Sequence, residues 1–322
     1  MNYYIGIDLG GTNIKAMIMS DKFQVVCKNS LSTPSQKSPE NIFGVIINLI
    51  ESMLKDSSVC IDDVLGIGIG IPGLTDSRVN KVFNAPNLFW IDQYVGKPLK
   101  DYFKKPIYTE NDGNVNALGE MHFGAGKGFR HIILLTLGTG VGSGIILDGR
   151  LLHGASNVAG EAGHMVIELG GELCSCGKSG CFESSCSATA MIKHARKLVT
   201  EKPDTVLLKY ASGDINSITC EMIDQGFDVG DALSIEIIET FAKKLSIGLV
   251  NLINLLNPEI IIISGGLSNS GDRILNLTRK LVEESLMHPI QRCSIVVGEL
   301  GSDAGVMGAC SVVAASQRFI QK

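Results

Sequence analysis

Two stretches of this chain repeat one pattern, "YIGIDLGGTNIKAMIM" near the amino terminus and "HIILLTLGTGVGSGIILDGRLL" from His131, each an apolar strand, a glycine turn and a second apolar strand. A turn without β-carbons lets consecutive backbone N–H groups converge on an anion. The echo predicts duplicated lobes, each opening with a hairpin whose turn is built for phosphate. With 322 residues, 45% of them hydrophobic, the chain can fill two cores of ordinary size, and two lobes leave a cleft.

The rest of the chain reads as alternating strands and helices. Residues 40–55 carry apolar side chains at helical spacing. "VLGIGIGIPGLTD" is a strand with isoleucines on one face and almost nothing on the other, so something packs closely on its bare face. "PIYTEND" is a short strand followed by the helical "GNVNALGEMHFG". Helices are expected over 188–200 and 228–257, the second stopped by Pro258, and "EIIIISGGL" is a buried strand. "DAGVMGACSVVAASQRF" is a small-residue helix expected to return to the first lobe.

The glycine turns are candidates for a nucleotide cradle. In the first, Asp8 ends a strand, Gly10 and Gly11 make the turn, and Thr12, Asn13 and Lys15 follow. Asp8 would repel phosphate, so its expected task is to hold Mg2+ through water. "LGTGVGSG", with Thr139 and Gly140, supplies a second turn, and "SGG", with Gly265 and Gly266, a third at a strand's carboxyl end. Any one of them reads equally as a plain structural hairpin, but three in this order favour nucleotide. Neither a dinucleotide fingerprint nor a GxxxxGKS/T loop is present.

"ENDGNVNA" puts Asp112 just after a strand, where its carboxylate can accept a proton from a hydroxyl during phosphoryl transfer. Capping the following helix is the competing task. Asn111 would orient a sugar through its amide, and Asn87 in "NAPNLFW" is a further sugar-side candidate.

His164, Cys174, Cys176 and Cys181 offer one imidazole and three thiolates, a closed tetrahedral set suited to structural Zn2+. Reduced unligated thiols and a disulfide are the alternatives. Gly177 and Gly180 permit the tight knuckle. Glu161 and Glu183 flank the ligands, so a zinc site would hold two acceptors toward one polyol, while His164 could donate its second ring N–H. Solvated glutamates are the plainer reading. His153 has no metal-like spacing and reads as a surface or capping residue.

Composition excludes other classes. A formal charge of -5, from 28 basic and 33 acidic side chains, gives no field that would condense the chain on nucleic acid or an anionic bilayer. The apolar runs are too short and glycine-broken to span a membrane. The start "MNYYIGIDLGGT" lacks a signal-peptide pattern, so a cytoplasmic protein is expected.

"DLGGTN", "GIGIPG", "ENDGNVNA", "LGTGVGSGI" continuing to "GEAGH", and "CSCGKSGCFE" together resemble the ROK family of repressors and sugar kinases, and within it the bacterial glucokinases, over essentially the whole chain. The resemblance implies an actin-like ATPase fold of the ribonuclease H type, ATP between the lobes, and transfer of the γ-phosphoryl group to the 6-hydroxyl of a hexose. The lobes would be 1–110 completed by the helix 304–322, and 111–303 with a zinc-binding insertion at 160–184. By position Asp112 would be the family's base, and Gly73, Asn87, Asn111, Glu161, His164 and Glu183 its sugar-side elements. The zinc ligands would be His164, Cys174, Cys176 and Cys181. Phe182 replaces the leucine common in glucokinases, beside Glu183. Homodimers or homotetramers are expected. The substrate could also be N-acetylmannosamine, N-acetylglucosamine or fructose, and a sugar-sensing regulator without turnover is the rival outside enzymes. The family's winged helix-turn-helix segment is not expected, since the first strand begins by residue 3.

Overall fold

The structure, a computed structural model, describes residues 1–267 and 272–320. The chain divides into two compact units: the first holds Met1–Ile132, Gly144–Gly160 and the segment from Gly298, the second Ile133–Ser143 and Glu161–Val297.

The first unit contains β1 (Tyr3–Leu9), β2 (Asn13–Ser20), β3 (Val25–Ser32), α1 (Pro39–Ser57), β4 (Val64–Ile71), β5 (Leu74–Asp76), β6 (Lys81–Ala85), β7 (Trp90–Tyr94), α2 (Gly96–Phe103), β8 (Ile107–Asn111) and α3 (Asp112–Phe123). Among the described residues its main sheet runs β3-β2-β1-β4-β8, with antiparallel pairs on the β2 side of β1 and parallel pairs on the β4 side. The amino-terminal hairpin is β1 and β2 with β3 added beside β2, and β5, β6 and β7 form a small separate sheet that periodicity did not reveal.

Helix α1 shows how the sequence sets an element. Ser38 accepts from the Asn41 N–H, Pro39 opens the first turn, and Ser58 in the left-handed region ends it. Ile42, Phe43, Ile46, Leu49, Ile50 and Met53 make one buried stripe that joins the isoleucines of β1, β2 and β4 in a single core. Each such side chain contributes about 1.5–3 kcal/mol when buried.

The second unit's strands and helices continue with β9 (Ile132–Leu137), β10 (Val141–Leu147), β11 (Arg150–Leu151), α4 (Glu183–Cys186), α5 (Ala188–Glu201), α6 (Val206–Tyr210), α7 (Cys220–Asp228), α8 (Ala232–Leu256), β12 (Ile260–Ser264), α9 (Asp272–Ser285) and β13 (Ser294–Val297); β10 ends, and β11 lies, in the first unit. Its sheet runs β11-β10-β9-β12-β13 among the described residues, the same rank order as the first. The duplication expected from the glycine hairpins is therefore present in the topology. Helix α8 starts at 232, not 228, because Gly230 turns at φ +78 and Asp231 caps by accepting from the Ser234 N–H.

The last helix, α10 (Ala304–Ile320), lies on the first sheet. Tyr4, Met17 and Met19 pack with Val306, Cys310, Val313 and Ala314. Here is the partner of the bare glycine face: a β-carbon on Gly68 would stand 2.0 Å from the Ala309 carbonyl oxygen, and one on Gly6 2.2 Å from that of Val306. The same closeness joins α10 to α3, since a β-carbon on Gly308 would meet the Val115 oxygen at 1.7 Å. That packing keeps 111–132 in the first unit, where the sequence reading had ended the first lobe at 110. Gly68→Ala must lift α10 from the sheet, so we expect a loss of about 3 kcal/mol in denaturant unfolding, the upper range for overpacking. An unchanged midpoint would contradict the close approach. Among the described residues no helix is long and apolar enough to cross a membrane.

Candidate functional site

In the first unit the site grows from the carboxyl ends of parallel strands β4 and β8, which pair Ile71 with Asn111. Just beyond β4, Gly73 turns at φ +94, and a β-carbon there would meet the Asn84 oxygen at 2.2 Å, so only glycine fits. Asn111 is the cap of α3: its Oδ1 accepts from the Asn114 N–H at 3.2 Å, and its Nδ2 donates to the Gly73 oxygen at 3.0 Å. The amide expected to orient a sugar is thus first a structural clip, with one donor hydrogen and one lone pair left over.

Because Asn111 takes the cap, Asp112 stands as the first helical residue. It is half-buried, with Oδ1 accepting from the Gly113 N–H at 2.9 Å. Before it, buried Glu110 accepts from the Asn111 N–H and Asn114 Nδ2, both at 2.9 Å, and pairs with His153 Nε2 at 2.8 Å. His153 is therefore no plain surface residue, and nothing in its spacing could have disclosed a partner 43 positions away.

The first glycine turn is closed by Gly10 N–H donating to the Asn13 oxygen at 2.9 Å and braced by Thr33, whose hydroxyl donates to the Gly10 oxygen at 2.7 Å. Thr12 and Asn13 are exposed there. A β-carbon on Gly11 would lie 3.5 Å from Asn87 Cβ and 3.8 Å from Lys37 Nζ, so the turn, Asn87 and Lys37 gather together. Lys37, which the sequence reading passed over, donates to the Asn87 oxygen at 2.8 Å. Lys15, paired across the strands with Asp8, donates from its Nζ to the Ser302 oxygen at 2.7 Å. Asp8 lies against the start of α10, where a β-carbon on Gly305 would stand 2.7 Å from Oδ2. Burial pushes its carboxyl above the usual range, with Lys15 pulling the other way.

In the second unit, the turn between β9 and β10 is bolted to the start of α5. Ala188 N–H donates to the Gly138 oxygen at 2.7 Å and the Thr189 hydroxyl to the Thr139 oxygen at 2.8 Å. Glu183 holds the same turn, its Oε2 accepting from the Val141 N–H at 3.0 Å and its Oε1 from the Ser175 hydroxyl at 2.9 Å. Oε1 also accepts from the Cys174 thiol at 3.5 Å, so Glu183 is neither merely solvated nor reserved for a ligand, and the lone pair left over is on Oε2. Gly140 leaves room for it: a β-carbon would stand 2.4 Å from Oε2. Gly265, at φ +92, presses against the Leu137 backbone, which brings the third turn to the second, and Gly266 is open. Glu161 has its carboxyl raised by burial, opposed by His164 and reinforced by repulsion from Glu183, so these three groups share one neighbourhood.

The ligand atoms of His164, Cys174, Cys176 and Cys181 all lie within 4.8 Å of one another. Cys176 and Cys181 sulfurs are 3.7 Å apart and His164 Nδ1 is 3.6 Å from Cys174 Sγ. A tetrahedron with zinc–sulfur bonds of about 2.3 Å has edges of about 3.8 Å, so the donor set fits zinc. Gly177 and Gly180 turn at φ +83 and +79, as the knuckle required. With Nδ1 facing the cluster, Nε2 of His164 is the nitrogen left for another partner. Phe182 is fully buried beneath α8, its ring filling the space a side chain at Gly248 would need, so the departure from leucine is taken up by the core.

Comparison with known proteins places these features in a wider set. The model of the ROK family matches residues 4–316. A glucokinase of Halalkalibacterium halodurans is 35% identical over 99% of this chain and 97% of its own length. A xylose repressor of Caldicellulosiruptor bescii is 32% identical over 96% of this chain and 77% of its own. A crystal structure of a ROK family glucokinase from Streptomyces griseus, in complex with glucose and AMPPNP, superposes with a TM-score of 0.82 at 30% identity, covering 97% of this chain and 99% of that one.

Proposed function

Because the chain belongs to the ROK family, we propose that it transfers the γ-phosphoryl group of ATP to the 6-hydroxyl of a hexose, with glucose as the preferred substrate. One observation carries the chemistry: a half-buried carboxylate, Asp112, at the first turn of a helix whose cap is supplied by its neighbour. With Asn111 supplying the cap, the Asp112 carboxylate can accept the proton that leaves the sugar hydroxyl. Phosphoryl transfer asks for little else beyond alignment and charge neutralisation.

The remaining roles follow residue by residue. The turns at Gly10–Asn13, at Thr139 and Gly140, and at Gly265 and Gly266 offer backbone N–H groups to phosphate. Asp8 would hold Mg2+ through water, and the ion would supply neutralisation of phosphate charge. Gly73 supports Asn111, while Asn111, Asn87, Glu161, Nε2 of His164 and the spare lone pair of Glu183 Oε2 would take sugar hydroxyls. His164, Cys174, Cys176 and Cys181 would hold a structural Zn2+. A thiolate cluster persists in reducing surroundings, which supports a cytoplasmic setting. A homodimer is the proposed assembly.

The test is ADP release with MgATP against glucose, N-acetylglucosamine, N-acetylmannosamine and fructose. We expect glucose to give the highest kcat/KM. A higher value for an acetamido sugar would move the specificity, and no turnover with any of them would favour the second reading. That reading is a sugar-responsive regulator, and it stands because xylose repressors align with nearly the whole chain. Asp112 speaks against it, since binding a sugar needs hydrogen bonds and no proton acceptor.

A further inference from the structure

Glu110 lies where a carboxylate is poorly solvated, 4% exposed in strand β8 and one residue before the helix cap. Its two oxygens do different work. Oε1 gathers the Asn111 N–H and Asn114 Nδ2, which are the two sides of the junction between β8 and α3. Oε2 is met by His153 Nε2 at 2.8 Å, from the loop that follows β11 in the same unit. A carboxylate is planar and turns about its last bond, so a donor on one oxygen determines where the other points. Asp112 is the second residue after Glu110, and its own backbone is what this junction carries.

We infer that His153 is a positioning residue for phosphoryl transfer: by fixing the plane of Glu110 it holds the strand-to-helix junction that sets where the Asp112 carboxylate stands. The inference rests on the reading of Asp112 as proton acceptor. The surroundings agree with a charge-assisted bond. The Glu110 hydrogen bond raises the His153 pKa against the opposing effect of burial, with the Glu110 charge adding to the rise, Arg78 opposing it and Asp76 adding to it. His153 is about one-third exposed, so water can enter when its ring is removed, and the lesion falls on orientation more than on folding.

Steady-state kinetics on the full chain test this. His153→Ala should lower kcat about tenfold at saturating hexose with the KM for ATP changed less than twofold, because a proton acceptor displaced by a fraction of an ångström loses alignment without touching nucleotide binding. His153→Gln, whose Nε2 can reach the position of the ring Nε2, should recover kcat to within about threefold of the wild type. Imidazole titration by NMR should put the His153 midpoint above that of an ordinary histidine, and Glu110→Gln should bring it down; this reading stands even if the alanine variant does not fold. Wild-type kcat in His153→Ala, no recovery in His153→Gln, or an ordinary midpoint for His153 would each overturn the positioning role. A wild-type chain that phosphorylates no hexose would remove the kinase reading and this role together, whereas an active wild type with an equally active alanine variant removes this role alone.

Discussion

Asp112→Asn should lose at least about a hundredfold in turnover while sugar and nucleotide still bind, since a positioned acid or base contributes roughly 10²–10⁴ to rate. The substitution is nearly isosteric. An asparagine oxygen can still accept from the Gly113 N–H at the distance seen for Oδ1, and the helix cap is Asn111, so α3 keeps its start. What disappears is the capacity to take up a proton. Glucose binding measured by calorimetry should therefore change less than kcat measured by ADP release. Turnover within tenfold of the wild type would end the assignment.

Removing zinc is expected to have an effect of similar size by another route. Purified protein should carry about one zinc per chain. Cys181→Ser breaks the cluster at a buried ligand, and structural zinc contributes on the order of 10 kcal/mol to isolated fingers. Local unfolding recovers part of this, so a drop in thermal midpoint of about 10 °C is expected. Activity should fall as well, because Ser175 and Glu183 tie the knuckle to the turn at Val141. Cys27→Ser, which alters a half-exposed cysteine outside the cluster, should retain metal and midpoint. A folded, fully active chain without metal would refute both the site and its bracing of the turn.

Some parts of the site are legible in the amino-acid sequence and others are not. The Cys174 to Cys181 knuckle, the three glycine turns and the place of Asp112 at a strand end were all legible, because each depends on residues within one or two turns of chain. The cap was assigned only in structure: "END" offers two side chains able to cap, and the backbone angles of Asn111 chose between them. Lys15 looked like part of the phosphate turn, yet an antiparallel strand sends it to a carbonyl 287 positions away. Lys37 and His153, by contrast, carried no signal at all.

By itself the sequence determined the longer strands and helices, the glycine-turned hairpin that opens each half and the cluster of one histidine and three cysteines, since positive φ at glycine, alternation in strands and close spacing in a short loop are local demands. Only the tertiary structure decided which partner each polar group would take: Glu110 with His153, Glu183 with the Val141 N–H, and the bare glycines with α10. Those pairings follow from close packing of segments far apart in the chain, where a lone pair or an empty β-carbon position is filled by whatever the fold brings within reach.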